Sequence, residues 1–159
     1  MVREILRYPD PLLKQVCAPA DRNEAAHVAE DLLDTMRAHP GCVGIAAPQI
    51  GAPVRVVVVD VSEHPRAETS NGLLVLVNPR IVHAEGREVA REGCLSIPDL
   101  TANVRRATAI RVQAGRVHVE CAGFEARCVQ HELDHLDGVL FLDRVESLAH
   151  DVFLRKVYR

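Results

Sequence analysis

Two histidines and a glutamate stand at a spacing that suits metal-dependent hydrolysis. The chain carries the pattern H-E-x-x-H at residues 131–135. Residues four apart lie one turn above each other on a helix, so both imidazoles can reach one cation while Glu132 lies at its rim. Two polar residues on an ordinary solvated helix face are the alternative. The apolar neighbours Val129, Leu133 and Leu136 predict a partly buried helix instead, which favours the metal site.

A catalytic metal of this kind needs a third protein ligand and an open position for water. Downstream, the extended pattern H-E-x-x-H-x-x-G-x-x-H is met as far as Gly138, but its last position holds Phe141 in place of histidine. Glu146 is the only downstream glutamate, and it stands close behind the motif. Upstream, Cys94 follows Gly93 at the end of a β-prone segment. It is the better candidate ligand, although a free cysteine taken alone is more often a core residue.

A third segment of interest is the small-residue sequence Gly-Ile-Ala-Ala-Pro-Gln-Ile-Gly at residues 44–51. Small side chains let a substrate backbone approach closely, and the amide of Gln49 can donate a hydrogen bond to a developing oxyanion. A loop packed tightly between a helix and a strand has a similar composition. For this segment alone, that structural explanation is the better one.

Taken together and in this order, the three segments resemble the motifs of the peptide deformylases, which are G-x-G-x-A-A-x-Q, E-G-C-L-S and Q-H-E-x-D-H. The resemblance runs from Ile5 to Arg144, nearly the whole chain, and three ordered motifs make it specific. One departure is Cys42, which replaces the first glycine of the opening motif. A side chain therefore stands where backbone would meet the substrate or pack closely.

The resemblance implies that Cys94, His131 and His135 bind one divalent metal ion, with water in the fourth position. The family uses Fe²⁺ by preference, and Zn²⁺, Ni²⁺ or Co²⁺ can occupy the same ligands. One thiolate and two imidazoles do not choose among these ions by ligand type alone. Metal binding deprotonates the thiol and brings the pKa of the bound water toward neutrality.

The reaction implied by the resemblance is removal of the N-formyl group from the initiator methionine of nascent polypeptides, with release of formate. Glu132 would take a proton from the attacking water and return it to the leaving amine. Gln49 and the backbone N–H of Leu95 would hold the tetrahedral oxyanion. The implied substrate-binding residues, along an extended peptide and its methionine pocket, are Gly44, Ile45, Phe124 and Cys128.

Two other functions stay open at this point. A related metallo-amidase could remove formyl groups from a different amine, because Cys42 alters the entrance to the site. Comparing formyl-methionyl peptides with other N-formyl amines separates this enzyme from a deformylase of nascent chains. A catalytically silent binding protein could use the same scaffold, but the presence of every implied ligand, of Glu132 and of Gln49 argues against it.

The sequence predicts both helices and strands to position these residues, and therefore an α+β fold. Asp21 and Glu24 are spaced as a helix-capping box, and apolar residues then recur at helical spacing over 28–36. A second helix, which carries the H-E-x-x-H pattern, is predicted over Phe124–Leu136. A weaker pattern predicts a short C-terminal helix over Glu146–Tyr158.

Between the helices, short β-prone segments predict antiparallel sheets that pack around the H-E-x-x-H helix. These segments span residues 54–61, 73–77, 81–83, 88–90, 109–113 and 117–121. Gly115 and Arg116 fit a two-residue hairpin turn between the last two. We therefore expect one catalytic domain over residues 1–159.

Composition limits the partners and the compartment. The 159 residues are 48% apolar and 26% charged, as in globular proteins. The net charge of −3 and the lack of a basic run argue against direct nucleic-acid binding. No apolar run is long enough to span a bilayer, and charges and Pro9 interrupt the amino terminus where a signal peptide needs apolar residues. We expect a cytoplasmic protein whose partners are N-formyl-methionyl peptides and the ribosome, and which contacts no membrane.

Overall fold

A computed structural model describes residues 1–156, in which two α-helices accompany three antiparallel sheets. The helices are α1 (Arg22–Arg37) and α2 (Gly123–Leu136). The strands are β1 (Gly44–Ala46), β2 (Val56–Val59), β3 (Leu74–Val77), β4 (Arg80–Glu85), β5 (Glu88–Cys94), β6 (Ile97–Arg106), β7 (Ala109–Ala114), β8 (Val117–Ala122) and β9 (Val152–Leu154). The sheets have the strand orders β1-β2-β3, β4-β7-β8 and β5-β6-β9. The fold is therefore α+β.

The continuous valine run of β2 is explained by cover on both faces of its sheet. Successive side chains of a strand point to opposite faces. Val56 and Val58 pack in the apolar cluster that includes Leu32 of α1, and Val57 and Val59 pack in the cluster of α2. Neither face of β2 meets solvent, so no polar residue is needed at alternate positions.

Helix α1 begins with the capping interaction that its sequence indicates. The side chain of Asp21 accepts a hydrogen bond from the Glu24 N–H at 2.8 Å. Such a bond satisfies one of the amides that the first helical turn leaves free. Leu32 and Met36 then face the core, and the chain leaves the helix shortly before Pro40.

Helix α2 is the buried centre of the site. Eleven of its fourteen residues are buried, and it contacts β1, β2 and β8. The helix ends at Leu136, and Gly138 follows with φ 71°, the left-handed conformation that often terminates helices. No helix within residues 1–156 is both long enough and apolar enough to cross a membrane.

The C-terminal helix predicted over Glu146–Tyr158 is wrong for the part of it that the structure describes. Residues 147–151 form a turn, and β9 pairs antiparallel with residues 100–102 of β6. The edge of β6 accepts this segment, and Val152 packs on the apolar cluster beneath it. These long-range contacts override a weak helical spacing. Residues 157–159 lie outside the described residues.

Strand β6 is not predicted from the sequence, yet it spans ten residues. It pairs with β5 along its length and with β9 on its other edge. Its inward positions Ala102, Val104 and Arg106 are buried, so one face packs on the core. The strand places Arg106 opposite Glu88 at the start of β5, and the side chain of Arg106 reaches Glu92, near the candidate site.

The hairpin predicted at Gly115 and Arg116 is present. Strands β7 and β8 pair in register from Ala109↔Ala122 to Ala114↔Val117, which leaves two residues in the turn. Gly115 has φ 62°, as tight hairpin turns of this length require. The hairpin delivers the chain directly into α2.

Candidate active site

Three candidate ligand atoms converge where α2 passes the end of β5. His131 and His135 stand one turn apart on α2, and Cys94 is the last residue of β5. One nitrogen or sulfur atom from each lies within 4.8 Å of the others, and Cys94 Sγ lies 3.4 Å from His135 Nε2. All three residues are buried. One thiolate and two imidazoles at this separation suit a divalent cation such as Zn²⁺ or Fe²⁺.

A shift in strand register places the cysteine. Strands β5 and β6 pair regularly as far as Gly93, and Cys94 then pairs with Ile97. Leu95 and Ser96 form the turn between the strands, so the Leu95 N–H lies outside the strand ladder. Gly93 allows a close approach, because a Cβ there would lie 2.2 Å from a guanidinium nitrogen of Arg155.

The charges around Cys94 favour its thiolate. Burial opposes ionisation, but the imidazoles of His135 and His131 hold the pKa of the Cys94 thiol well below its ordinary value. Burial also lowers the pKa of His131, yet Glu132 and Cys94 raise it well above its ordinary value. The thiolate is the form of cysteine that binds metals. The protein therefore favours the ligating state of Cys94.

A glutamate that sequence analysis does not identify orients His131. Glu92 Oε1 lies 2.9 Å from His131 Nδ1. A hydrogen bond at Nδ1 leaves Nε2 as the nitrogen that can bind a metal, and such carboxylate partners strengthen metal sites. The strand period could have identified Glu92, since side chains two residues apart on β5 share a face and Cys94 is two residues further on.

Glu92 also belongs to a buried network of alternating charges. Arg106 donates to both of its carboxylate oxygens at 2.9 Å, and Arg127 donates to Oε2 at 2.7 Å. Arg106 also donates a hydrogen bond to Asp134 at 2.6 Å. Arg144 donates to the other carboxylate oxygen of Asp134 at 2.8 Å. Burial disfavours the Glu92 carboxylate, but the hydrogen bonds from Arg106 and the histidine hold its pKa well below its ordinary value. The network fixes the face of α2 that carries the two candidate histidine ligands.

Glu132 is buried beside the candidate ligands and has an unused acceptor. Its Oε1 has no hydrogen-bond partner among residues 1–156. Burial raises the pKa of Glu132, and the two neighbouring histidines oppose that rise. A buried carboxylate with a free oxygen can accept a proton from a water molecule next to it.

Gln49 presents its amide to the same cluster. It lies in a short 3₁₀ turn, Ala47–Ile50, directly after β1. Its Oε1 accepts from the Ala46 N–H at 2.9 Å, which aims Nε2 at the Ser96 hydroxyl (3.1 Å) and at Cys94 Sγ (3.5 Å). The amide N–H groups therefore point toward the place where a ligand of the cluster would lie.

A cavity of about 340 Å³ opens above these groups. Its lining includes eight of the ten residues predicted for the site: Gly44, Gln49, Cys94, Leu95, Phe124, Cys128, His131 and Glu132. His135 lies deeper, below the lining. The side chain of Ile45 is fully buried in the apolar cluster of α1, away from the cavity, since alternate residues of β1 face opposite ways.

Cys42, the departure from the motif, also lines the cavity. Its Sγ donates to the Gly44 carbonyl at 3.3 Å. Burial and the nearby Glu132 raise the pKa of the Cys42 thiol to about 12. Cys42 is therefore a neutral thiol turned toward the backbone of β1.

We expect Gly44→Ala to lower kcat for the reaction at this site by about 10²-fold, because misplacing a reacting group by about 1 Å can have that effect. The new Cβ would lie 2.8 Å from Glu132 Oε2, so the carboxylate must move. The backbone of Gly44 does not have a positive φ, and the fold should tolerate alanine. Steady-state kinetics, with metal content and Tm measured on the same samples, tests this. A fully active Gly44→Ala protein would show that the position of Glu132 is not critical.

Sequence comparisons agree with this geometry. A family model described as polypeptide deformylase matches residues 2–151. A peptide deformylase from Acidobacterium capsulatum is 41% identical, over 99% of this chain and 94% of that protein. A peptide deformylase from Rhizobium meliloti is 42% identical, over 98% of this chain and 91% of that protein.

Solved structures of similar fold belong to the same class of protein. A class I type b peptide deformylase from Acinetobacter baumannii superimposes with a TM-score of 0.82 at 35% identity, covering 91% of this chain and 99% of that one. Peptide deformylase from Thermotoga maritima gives a TM-score of 0.80 at 35% identity, with coverages of 92% and 99%. The similarity therefore includes nearly the whole of each chain.

Proposed function

Because this chain belongs to the peptide deformylase family and removes the formyl group from nascent peptides, we propose that Cys94, His131 and His135 hold the metal ion of that reaction. The observation that carries the proposal is the convergence of their ligand atoms within 4.8 Å. The buried site also presents the free carboxylate oxygen of Glu132 and the amide of Gln49. When bound, such an ion acts as a Lewis acid and makes hydroxide available near neutral pH.

Glu132 performs the proton transfers in this proposal. Its carboxylate accepts a proton from the water that attacks the formyl carbon. It then delivers that proton to the leaving nitrogen as the bond between carbon and nitrogen breaks, which yields formate and a free amino terminus. Its burial raises the pKa of the carboxyl group, which favours the uptake of a proton from the attacking water.

Gln49 and Leu95 stabilise the charge that develops on the formyl oxygen. The Gln49 amide is held by its bond from the Ala46 N–H, and the Leu95 N–H is left free by the turn after Cys94. Fixed donors of this kind need no reorganisation during the reaction, and each typically contributes about 10²–10³ in rate.

The substrate-binding residues are proposed to be Gly44 and Ile45 through the backbone of β1, with Phe124 and Cys128 beside the methionine side chain. β1 is at the edge of its sheet, so an extended peptide can add to it. Phe124 and Cys128 line the cavity next to the ligands.

We propose Fe²⁺ as the native ion, with Zn²⁺, Ni²⁺ or Co²⁺ as competent substitutes. The mixed sulfur and nitrogen donor set supports a transition metal of this group over Mg²⁺ or Ca²⁺, which prefer oxygen ligands. Action on nascent chains supports a cytoplasmic setting at the ribosome. The family match over residues 2–151 supports a single catalytic domain spanning residues 1–159.

Formate release tests the proposed chemistry directly. The protein is reconstituted anaerobically with Fe²⁺, and formate is measured enzymatically after addition of an N-formyl-Met peptide. We expect multiple turnovers that stop when the ion is removed with a chelator and resume when Fe²⁺ is restored. Fully metallated protein that releases no formate would contradict the proposal.

Removing the sulfur ligand should abolish tight metal binding. We expect Cys94→Ala to weaken affinity for Zn²⁺ or Fe²⁺ by at least about 100-fold, since even outer-shell changes at metal sites have effects of about 10–100-fold. Competition with a chromophoric chelator measures the affinity. Cys17→Ala is the matched control, because Cys17 is also buried but its side chain lies in an apolar cluster and is not among the three converging ligands. Equal affinities in the two variants would remove Cys94 from the ligand set.

A further inference from the structure

Four arginines line the same cavity. Arg127 belongs to the buried charge network around Glu92, and the other three come from separate parts of the chain. Arg66 lies in the loop between β2 and β3, Arg91 lies on β5, and Arg155 directly follows β9. We call these three residues the arginine rim. The protein as a whole has a net charge of −3, so this concentration of positive charge is local.

Contacts hold each member of the arginine rim in place. The guanidinium of Arg91 lies 3.7 Å from the ring centre of Phe153 on β9. Arg66 lies 4.8 Å above the ring of Phe124, and its Nη1 lies 3.4 Å from the Arg91 carbonyl. Stacking on aromatic faces restrains an arginine. Arg91 also donates from Nε to Asn103 at 3.2 Å and from Nη1 to Thr101 at 3.4 Å, which leaves its Nη2 group for a ligand.

The third arginine depends on the strand that replaces the expected C-terminal helix. The Arg155 N–H donates to the Asp99 carbonyl at 2.9 Å, which continues the pairing of β9 with β6. Its guanidinium then lies against Gly93, next to the metal ligand Cys94, in space that any side chain at Gly93 would fill. The chain thus carries a positive charge from its C-terminal segment to the edge of the site.

The arginine rim is not neutralised by nearby carboxylates. Within residues 1–156, no ion pair involves Arg66, Arg91 or Arg155. Other exposed arginines do have such partners: Arg105 pairs with Glu146 and Arg111 pairs with Glu120. Each arginine of the rim also keeps at least one guanidinium NH₂ group without a hydrogen-bond partner among residues 1–156, and that group can reach a ligand.

We propose that the arginine rim recognises an acidic side chain of the substrate peptide, downstream of the formyl-methionine. The enzyme then prefers nascent chains that carry Asp or Glu within the first few residues after the methionine. This inference rests on the proposed function. When the formyl end lies at the ligands, the following residues must leave through the mouth of the cavity that the rim lines. Guanidinium groups bind carboxylates through paired, charge-assisted hydrogen bonds.

A peptide series tests this preference. C-terminally amidated formyl-Met peptides carry Glu, Gln or Lys at the first, second or third position after methionine, and kcat/KM is measured for each. We expect at least about a fivefold preference for Glu over Gln in one position, the scale of one or two exposed ion pairs, and a further decrease for Lys. The preference should shrink at 1 M salt, because salt screens exposed charges.

Charge-matched variants identify the residues responsible. The triple variant Arg66→Gln, Arg91→Gln, Arg155→Gln should reduce the ratio of Glu to Gln to near one. The control removes three exposed arginines that do not line the cavity, Arg80, Arg87 and Arg116, and should keep the ratio of the unmodified protein. Calorimetric binding of the N-acetyl-Met versions of the same peptides, which carry no formyl group, should show the same order.

The outcomes separate this inference from the function on which it rests. If all peptides are hydrolysed and the ratio of kcat/KM for Glu to that for Gln is near one at every position, the proposed role of the arginine rim is overturned. The deformylase activity is then unaffected. A preference for Glu that survives in the rim variant also overturns it. Absence of hydrolysis in metallated protein contradicts the proposed function. If the acetylated Glu and Gln peptides then also bind equally, the proposed role of the arginine rim is overturned as well.

Discussion

Glu132→Gln should lower kcat for formate release by about 10²–10⁴-fold, the usual contribution of a general acid and base. Glutamine keeps the shape of the side chain but cannot take a proton from water. The effect should appear in kcat, with the metal content unchanged, since Glu132 is not among the three converging ligands. Steady-state kinetics on protein with measured metal stoichiometry gives both values.

The same variant should be at least as stable as the unmodified protein. Burial raises the pKa of Glu132, which means that the folded protein disfavours the ionised carboxylate. At pH 7 a neutral amide avoids that unfavourable charge, so replacing this carboxylate should relieve the fold. Thermal unfolding of metal-free protein should give an equal or higher Tm for Glu132→Gln.

Glu125→Gln is the matched control for this pair of expectations. Glu125 is also a buried glutamate of α2, but it faces Asn71, whose backbone N–H donates to it at 2.8 Å. We expect this variant to retain kcat within a few-fold. Equal losses of kcat in the two variants would mean that any disturbance of α2 impairs the enzyme, and Glu132 would lose its assigned role.

Arg106→Met should destabilise the protein by about 3–5 kcal/mol, because removing one partner of a buried ion pair leaves its counterpart charged and unsolvated. The guanidinium of Arg106 is buried and contacts both Glu92 and Asp134. Methionine fills much of the volume but satisfies neither carboxylate. Urea unfolding at pH 7, monitored by circular dichroism on metal-free protein, measures the difference.

The neighbouring residue supplies the control. Arg105 forms an ion pair with Glu146 at 2.8 Å, but its side chain is 49% exposed. Solvent screens an exposed pair of this kind, so Arg105→Met should leave the free energy of unfolding nearly unchanged. If Arg106→Met lowers the free energy of unfolding as little as Arg105→Met does, the buried network does not stabilise the fold.

We expect the network to connect stability to metal binding. Arg106 holds Glu92 by two hydrogen bonds, and Glu92 in turn orients His131. We therefore expect Arg106→Met, under conditions where it remains folded, to bind metal about 10-fold more weakly, as for other losses of outer-shell support. The Arg105→Met control should bind metal normally.

Local spacing in the sequence accounts for much of the site. Two histidines four residues apart share one face of any α-helix, and Glu132 directly follows the first of them. The grouping of these three residues therefore needs no tertiary information. The turn at Gly115 and the capping residue Asp21 are equally local. Because the chemistry depends on residue types in fixed order, the three motifs were enough to indicate the family and its reaction.

Other features depended on contacts between residues distant in sequence. The segment at 152–154 became β9 because the edge of β6 was available to it, and a helical spacing of side chains carries no information about such an edge. Glu92 became the partner of His131 only when β5 was packed against α2. Ile45 faced the apolar cluster of α1 because the packing of β1 decides which of its alternate side chains lie on that side.

The division follows from the range of the interactions. Helix periodicity and tight turns are set by residues within about four positions of each other, so the ligand pair, its glutamate and the order of the motifs can be read from the chain. Strand pairing and buried ion pairs join residues far apart in sequence. The resemblance implied that Cys94 joins the histidines, but spacing along the chain did not. Only the folded structure could show their ligand atoms together, support them through Glu92 and Arg106, and bring Arg155 to the mouth of the cavity.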